Sequence, residues 1–89
     1  MEGRRIIEDI LSKSSLRVIR ALALSPLATK YTISKITSLK HRDVTRALAK
    51  LHEYNIIVEV KGTYNRYKLN YENRIVNRLL KFLEDIGYI

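Results

Sequence analysis

A chain of 89 residues with 17 Lys and Arg against nine Asp and Glu carries a formal charge of +8, and a single domain of that size buries only about 60–65% of the surface its unfolded form exposes. Hydrophobic residues at 46% and charged residues at 29% exclude a disordered tail. The lack of cysteine excludes a disulfide framework, a thiolate nucleophile and a cysteine-based zinc site, and no apolar run approaches the roughly 20 residues that span a bilayer.

Met1-Glu-Gly-Arg-Arg leads directly into an amphipathic pattern without a signal peptide's apolar segment, so the expected location is the cytoplasm, with the nucleoid. Residues 3–12 place Ile6, Ile7, Ile10 and Leu11 on one side of a short helix and Glu8 and Asp9 on the other. Such a helix is too short to be stable alone. Ser14 and Ser15 offer a capping hydroxyl to the next helix, over 15–24, where Leu16, Ile19, Leu22 and Ala23 recur at core spacing with Arg17 and Arg20 outside. Ser25-Pro26 stops it, because the residue before a proline avoids the α region and proline has no amide donor.

Leu27 to Lys30 reads as a loop. Thr32 caps a short helix over 33–37 with Ile33 and Ile36 inward and Ser34 and Lys35 outward, and its N-terminal amides suit a phosphate. Thr37-Ser38-Leu39 is a turn. Residues 40–54 then form a longer helix whose Val44, Ala47, Leu48 and Leu51 face inward, leaving Arg42, Thr45, Arg46, Ala49 and Lys50 on or beside the opposite face. Lys40 is a poor cap, whereas Asp43 in the first turn suits the helix dipole.

Asn55 ends this helix with the positive φ that asparagine tolerates. Ile56 to Lys61 is β-branched and reads as a strand, Gly62-Thr-Tyr-Asn65 as a turn, and Arg66 to Leu69 as the return strand, with Tyr67 and Leu69 on one face and Arg66 and Lys68 on the other. Asn70 can cap a last helix over about 71–86, with Glu72 in its first turn and Gly87 just past its end. Ile75, Val76, Leu79, Leu80, Phe82, Leu83 and Ile86 make a stripe wider than one small core needs, which implies two faces. In the competing arrangement this helix folds back over 15–24 and uses the whole stripe.

The charge is concentrated. Lys30, Lys35, Lys40, Arg42, Arg46 and Lys50 stand against Asp43 alone within residues 30–50, while Arg74, Arg78 and Lys81 cancel Glu72, Glu84 and Asp85 near the end. Local potential, not average charge, concentrates a polyanion. A helix with the dimensions of 40–54 fits the major groove of DNA.

Asp43-Val-Thr-Arg-Ala-Leu-Ala-Lys-Leu-His-Glu-Tyr-Asn-Ile-Ile57, followed by Val58-Glu-Val-Lys-Gly-Thr-Tyr-Asn-Arg-Tyr-Lys-Leu69, resembles the recognition helix and wing hairpin of winged helix-turn-helix DNA-binding transcription regulators. The likeness is to the arsenical-repressor and multiple-antibiotic-resistance-regulator kind and covers roughly residues 14–70. It lies in order and spacing, since each motif alone is degenerate. Two departures stand out: the turn at Thr37-Ser38-Leu39 lacks glycine, and Asn55 replaces the glycine common at the helix end. The usage of Lys, Ile and Tyr, without Cys or Trp, is similar to that of archaeal and archaeal-viral proteins.

The resemblance implies a mainly α fold with a small β-hairpin, a winged helix-turn-helix with extra N- and C-terminal helices. One domain over 1–89 would hold a recognition helix at about 40–54, a wing at about 56–69 and a dimerisation helix at about 71–86. Arg42, Thr45 and Arg46 are expected toward base edges, and Lys30, Tyr31, Lys35, Lys40, His41 and Lys50 on phosphates. Lys61, Tyr64, Asn65 and Arg66 of the wing are expected on the flanking groove or backbone. Ile6, Ile10, Ile75, Leu79, Phe82, Leu83 and Ile86 are the expected dimer surface.

Other chemistry is poorly supplied. His41 and His52 form no H-x-x-x-H pair, and the adjacent carboxylates Glu8-Asp9 and Glu84-Asp85 diverge by about 100° on a helix, which does not suit paired acid–base work. They read as solvated helix faces. Gly62 has no phosphate-loop context, the serines lack a partner base, and no cofactor, metal, membrane or small-molecule effector is expected. The function expected is sequence-specific binding of double-stranded DNA by a homodimeric transcription regulator, not catalysis. The rivals are an architectural or chromatin protein with little sequence preference and a winged helix that meets an acidic protein partner.

Overall fold

Three side-chain oxygens start three of the helices that enclose the core. Ser12 Oγ accepts from the Ser15 amide at 3.3 Å, Thr29 Oγ1 from the Thr32 amide at 3.2 Å and Asn73 Oδ1 from the Ile75 amide at 2.9 Å, each satisfying an amide that has no partner within its helix. In the computed structural model, which describes residues 3–89, the elements run α1 (Gly3–Ile10), α2 (Lys13–Leu24), β1 (Ala28–Thr29), α3 (Lys30–Thr37), α4 (His41–Glu53), β2 (Ile57–Val60), β3 (Arg66–Leu69) and α5 (Arg74–Asp85). Met1 and Glu2, the head of the expected domain and of the expected leaderless start, lie outside the described residues.

All three caps differ from those the sequence suggests. Ser12 caps α2 in place of Ser14 or Ser15, because Ser15 is drawn into the core and is buried. Thr29 replaces Thr32 because residues 28–29 are not a loop: Ala28 pairs with Tyr67 and Thr29 with Arg66, and this extended backbone delivers Thr29 into the capping position. Asn70 instead closes a turn ahead of α5, accepting from the Glu72 amide at 3.2 Å, so Glu72 lies in that turn and not in the helix.

The sheet is antiparallel throughout, in the order β1-β3-β2, with Ile57 opposite Leu69 and Glu59 opposite Tyr67. Its inner face meets α2, α3 and α4 in one core: Val18, Ile19 and Leu22, Ile33, Val44, Leu48 and Leu51, then Ile56, Ile57 and Leu69. Burial of each large aliphatic side chain contributes about 1.5–3 kcal/mol. Ile36, expected inward, is 42% exposed, because α3 is only eight residues long and leans on Ile33 alone for full burial.

The turn between α3 and α4 works without glycine. Ser38 adopts φ 62, a left-handed conformation unfavourable for a residue with a Cβ. Hydroxyl groups hold the turn in place. Ser34 Oγ donates to the Leu39 carbonyl at 2.6 Å, while Thr37 Oγ1 donates to the Ile33 carbonyl at 2.7 Å and accepts from the Leu39 amide at 3.2 Å. Asn55, at φ 60, ends α4 as expected, with the Ile56 amide donating to Leu51 at 2.9 Å and the Asn55 amide to His52 at 3.1 Å. Gly87, at φ 81, ends α5 with the same pair of bonds.

The apolar stripe of α5 divides between two faces. Val76 and Leu83 are buried in the core, whereas Ile75, Phe82 and Ile86 are exposed and Leu79 is half-buried between the two sets. The helix end is tied to α2 by Arg20, whose Nε donates to the Tyr88 carbonyl at 2.8 Å. This corrects two of the expected partner-facing residues: Leu83 and, on α1, Ile10 are each only 3% exposed. Their own core already covers them, so they have no area left to offer a second chain. No helix among the described residues is long and apolar enough to cross a membrane.

Candidate nucleic-acid interface

The outward face of α4 follows from its inward one. With Val44, Ala47, Leu48 and Leu51 buried, the helical repeat turns His41, Arg42, Arg46, Ala49 and His52 to solvent, and all five are exposed. Arg42 lies 3.8 Å from Asp43 across an exposed surface. Such a pair is worth at most about 1 kcal/mol and leaves the guanidinium available. Lys40 precedes the helix with its side chain making no cap bond.

A second group of expected residues meets across the gap between α3 and the hairpin. Lys30, Tyr31, Tyr64 and Asn65 line one groove of about 560 Å³, with Tyr67 also in its wall. Tyr31 and Tyr64 are exposed, and Lys35 Nζ stands 5.4 Å from the centre of the Tyr31 ring, within cation–π reach. Lys61 and Arg66 are exposed on the hairpin.

Three expected contacts are diverted. Thr45 does not present its hydroxyl to a groove: Oγ1 is buried without a hydrogen-bond partner, on the flank of α4 that faces Glu59 and Tyr67 of the sheet. The Asn65 amide donates to Glu59 Oε2 at 2.7 Å and so braces the hairpin. Burial raises the Tyr67 phenol above its usual pKa, and the neighbouring Glu59 carboxylate raises it further. Lys50 Nζ sits 3.5 Å from Asp9 Oδ1, turned toward α1.

Asp9 was expected on a solvated face. Instead its Oδ2 accepts from the Tyr54 hydroxyl at 2.7 Å, and Arg5 and Glu53 approach to 3.8 Å between the same two helices. No local pattern announces this junction, since Asp9 and Tyr54 are 45 positions apart. The Tyr54 hydrogen bond chiefly, with help from the Lys50 charge and against the effect of burial, holds the Asp9 carboxyl below its ordinary 3.8. The same bond, with burial and the Asp9 charge, raises the Tyr54 phenol above 10.0.

A carboxylate whose pKa is depressed by folding stabilises the fold fully above its unfolded value, and that contribution is lost as pH falls through the lower folded value. Below about pH 4 the melting temperature of the wild type should therefore drop more steeply than that of Asp9→Asn. Parallel melting curves for the two proteins across this range would contradict the linkage.

No family model matches the chain, and no curated protein matches it in sequence. Solved structures do match in fold. HlyU from Vibrio cholerae aligns over 100% of both chains with a TM-score of 0.78 at 15% identity. An E. coli protein described as a predicted DNA-binding transcriptional regulator aligns over 96% of this chain and 88% of its own, with a TM-score of 0.78 at 17% identity. A MarR-family transcriptional regulator from Silicibacter pomeroyi aligns over 94% of this chain and 55% of its own, with a TM-score of 0.75 at 12% identity. All three are bacterial and lend no support to the archaeal likeness in composition. The order of helices, the turn at Ser38 and the hairpin packed beside α4 are those of the winged helix-turn-helix fold, with a third strand and flanking helices, and this is the fold of the chain.

Proposed function

We propose that the protein is a transcription regulator that binds double-stranded DNA as a homodimer, one winged-helix domain per chain. The observation that carries this reading is the polarity of α4: a fully aliphatic inner edge, and an outer edge on which Arg42 and Arg46 are exposed just after the Ser38 turn. A helix presented in this way enters the major groove, where arginine can bind guanine through two hydrogen bonds. Lys35, Lys40, Tyr31 and His41 then lie along the phosphates, and Lys61, Tyr64 and Arg66 reach the flanking groove or backbone. MarR-family and related winged-helix regulators share the fold, which supports the same use of it.

Selection of bound duplexes from a random pool, followed by competition between selected and random duplexes at fixed salt, tests the reading. A strong preference for the selected duplex is expected, with two half-sites whose spacing reports the dimer. A ratio near unity would favour an architectural protein. Failure to bind any duplex at about 0.1 M salt would favour an acidic protein partner.

The dimer surface in this proposal is the outward stripe of α5, Ile75, Leu79, Phe82 and Ile86, together with Ile6 on α1. Phe82 and Ile86 are 54% and 60% exposed, and a row of large apolar side chains at helical spacing is costly to leave in water. Phe82→Glu should shift the protein to monomer in sedimentation while changing the protomer's own stability by no more than about 0.5 kcal/mol, as exposed positions do. An unchanged sedimentation coefficient would place the interface elsewhere.

A further inference from the structure

The structure assigns Asp9 a role in DNA binding that its place on α1 does not suggest: we propose that it is a positioning residue, which holds Lys50 away from the phosphates and fixes α4 against α1 through Tyr54. The proposal rests on the reading of α4 as the DNA-binding helix. It concerns which cations of that helix reach the nucleic acid.

Lys50 is the last of the cations along the basic stretch, and its spacing of four from Arg46 alone would place it on the same face of the helix, where it could reach a phosphate. Two features of Asp9 oppose that. The carboxylate is largely covered, at 21% side-chain exposure, and is already oriented by the Tyr54 hydroxyl at 2.7 Å, so its second oxygen meets Lys50 at 3.5 Å in a prearranged site. Moving Lys50 to a phosphate would leave this partly covered carboxylate with the Tyr54 hydroxyl as its remaining partner and would give up a charge attraction that helps hold its pKa down, so the pair favours Lys50 at Asp9.

The same junction is gripped from elsewhere. Arg5 lies 3.8 Å from Glu53 one residue before Tyr54. The Asn73 side-chain amide, at the start of α5, donates to the Asn55 carbonyl at 2.9 Å. Both terminal helices therefore converge on the C-terminal end of α4. The charged and titratable groups acting on Asp9 are Tyr54, Lys50 and Arg5, with Glu53 beside Tyr54 and Arg5, and among these Lys50 is the cation within ion-pair distance. The active basic edge is then the N-terminal half of α4, from Lys40 to Arg46.

The salt dependence of duplex binding measures this directly, because each phosphate contact adds about 0.9 to the slope of log affinity against log salt. Slopes are compared for the wild type, Lys50→Ala, Asp9→Asn and the double variant on one duplex chosen from a random pool. Lys50→Ala is expected to leave the wild-type slope unchanged. Asp9→Asn, which keeps an acceptor for Tyr54 but removes the charge, is expected to steepen the slope by about 0.9, and the double variant to restore it.

A slope reduced by about 0.9 in Lys50→Ala alone would overturn the proposal and leave the DNA-binding reading intact. So would an Asp9→Asn protein that binds more weakly with an unchanged slope, the result of a purely structural role. If Asp9→Asn does not fold, Lys50→Ala still decides. Absence of duplex binding by the wild type would overturn the reading and the proposal together.

Discussion

Arg46→Ala should lose about 1–3 kcal/mol of binding to the preferred duplex, a loss of roughly fivefold to 150-fold, while retaining much of its affinity for random duplex. Among the cations of α4, Arg46 is exposed on the outer edge and, among the described residues, is held by no ion pair or hydrogen bond, whereas Arg42 is next to Asp43 and Lys50 is held by Asp9. A side chain without a partner in the unbound protein has no ion pair or hydrogen bond to break on engaging a base. Arginine's planar fork matches two acceptors of guanine, and its loss leaves them unpaired. The measurement is the ratio of selected to random affinity at one salt concentration. A preserved ratio would mean that another surface reads the sequence.

Leu51→Ala should destabilise the protomer by about 2–5 kcal/mol, read from the midpoint of urea denaturation. Leu51 is fully buried, and its carbonyl accepts from the Ile56 amide at 2.9 Å where α4 hands over to β2. Truncation removes apolar contact on the inner edge of α4 and leaves a cavity that the surrounding helices and the sheet cannot fill without shifting. Against a total stability of about 5–15 kcal/mol for a small domain, this is the largest single effect expected, and it should reduce DNA binding only in proportion to the unfolded fraction. Loss of sequence preference without loss of stability would show that Leu51 acts on the base contacts directly.

The aliphatic spacing of Val44, Ala47, Leu48 and Leu51 specified both the existence and the orientation of α4, because helical periodicity is carried within a dozen residues and does not depend on the rest of the chain. Asn55 and Gly87 as helix ends, and the alternation of Tyr67 and Leu69 against Arg66 and Lys68, were legible for the same local reason. The two-faced stripe of α5 was legible as an excess, although which residue belonged to which face depended on the packing of α5 against the core.

Other features depend on residues far apart in the chain. The strand at Ala28–Thr29 exists because Tyr67 and Arg66 lie beside it, and two residues carry no periodicity of their own. Once that strand forms, it moves the cap of α3 from Thr32 to Thr29. The covered hydroxyl of Thr45 follows from how the hairpin lies against α4. The pairing of Asp9 with Lys50 and Tyr54 joins residues more than 40 positions apart. Helix periods and turn residues act through neighbours on the backbone and are written in order along it, whereas a hydrogen bond between two helices depends on where folding carries their ends.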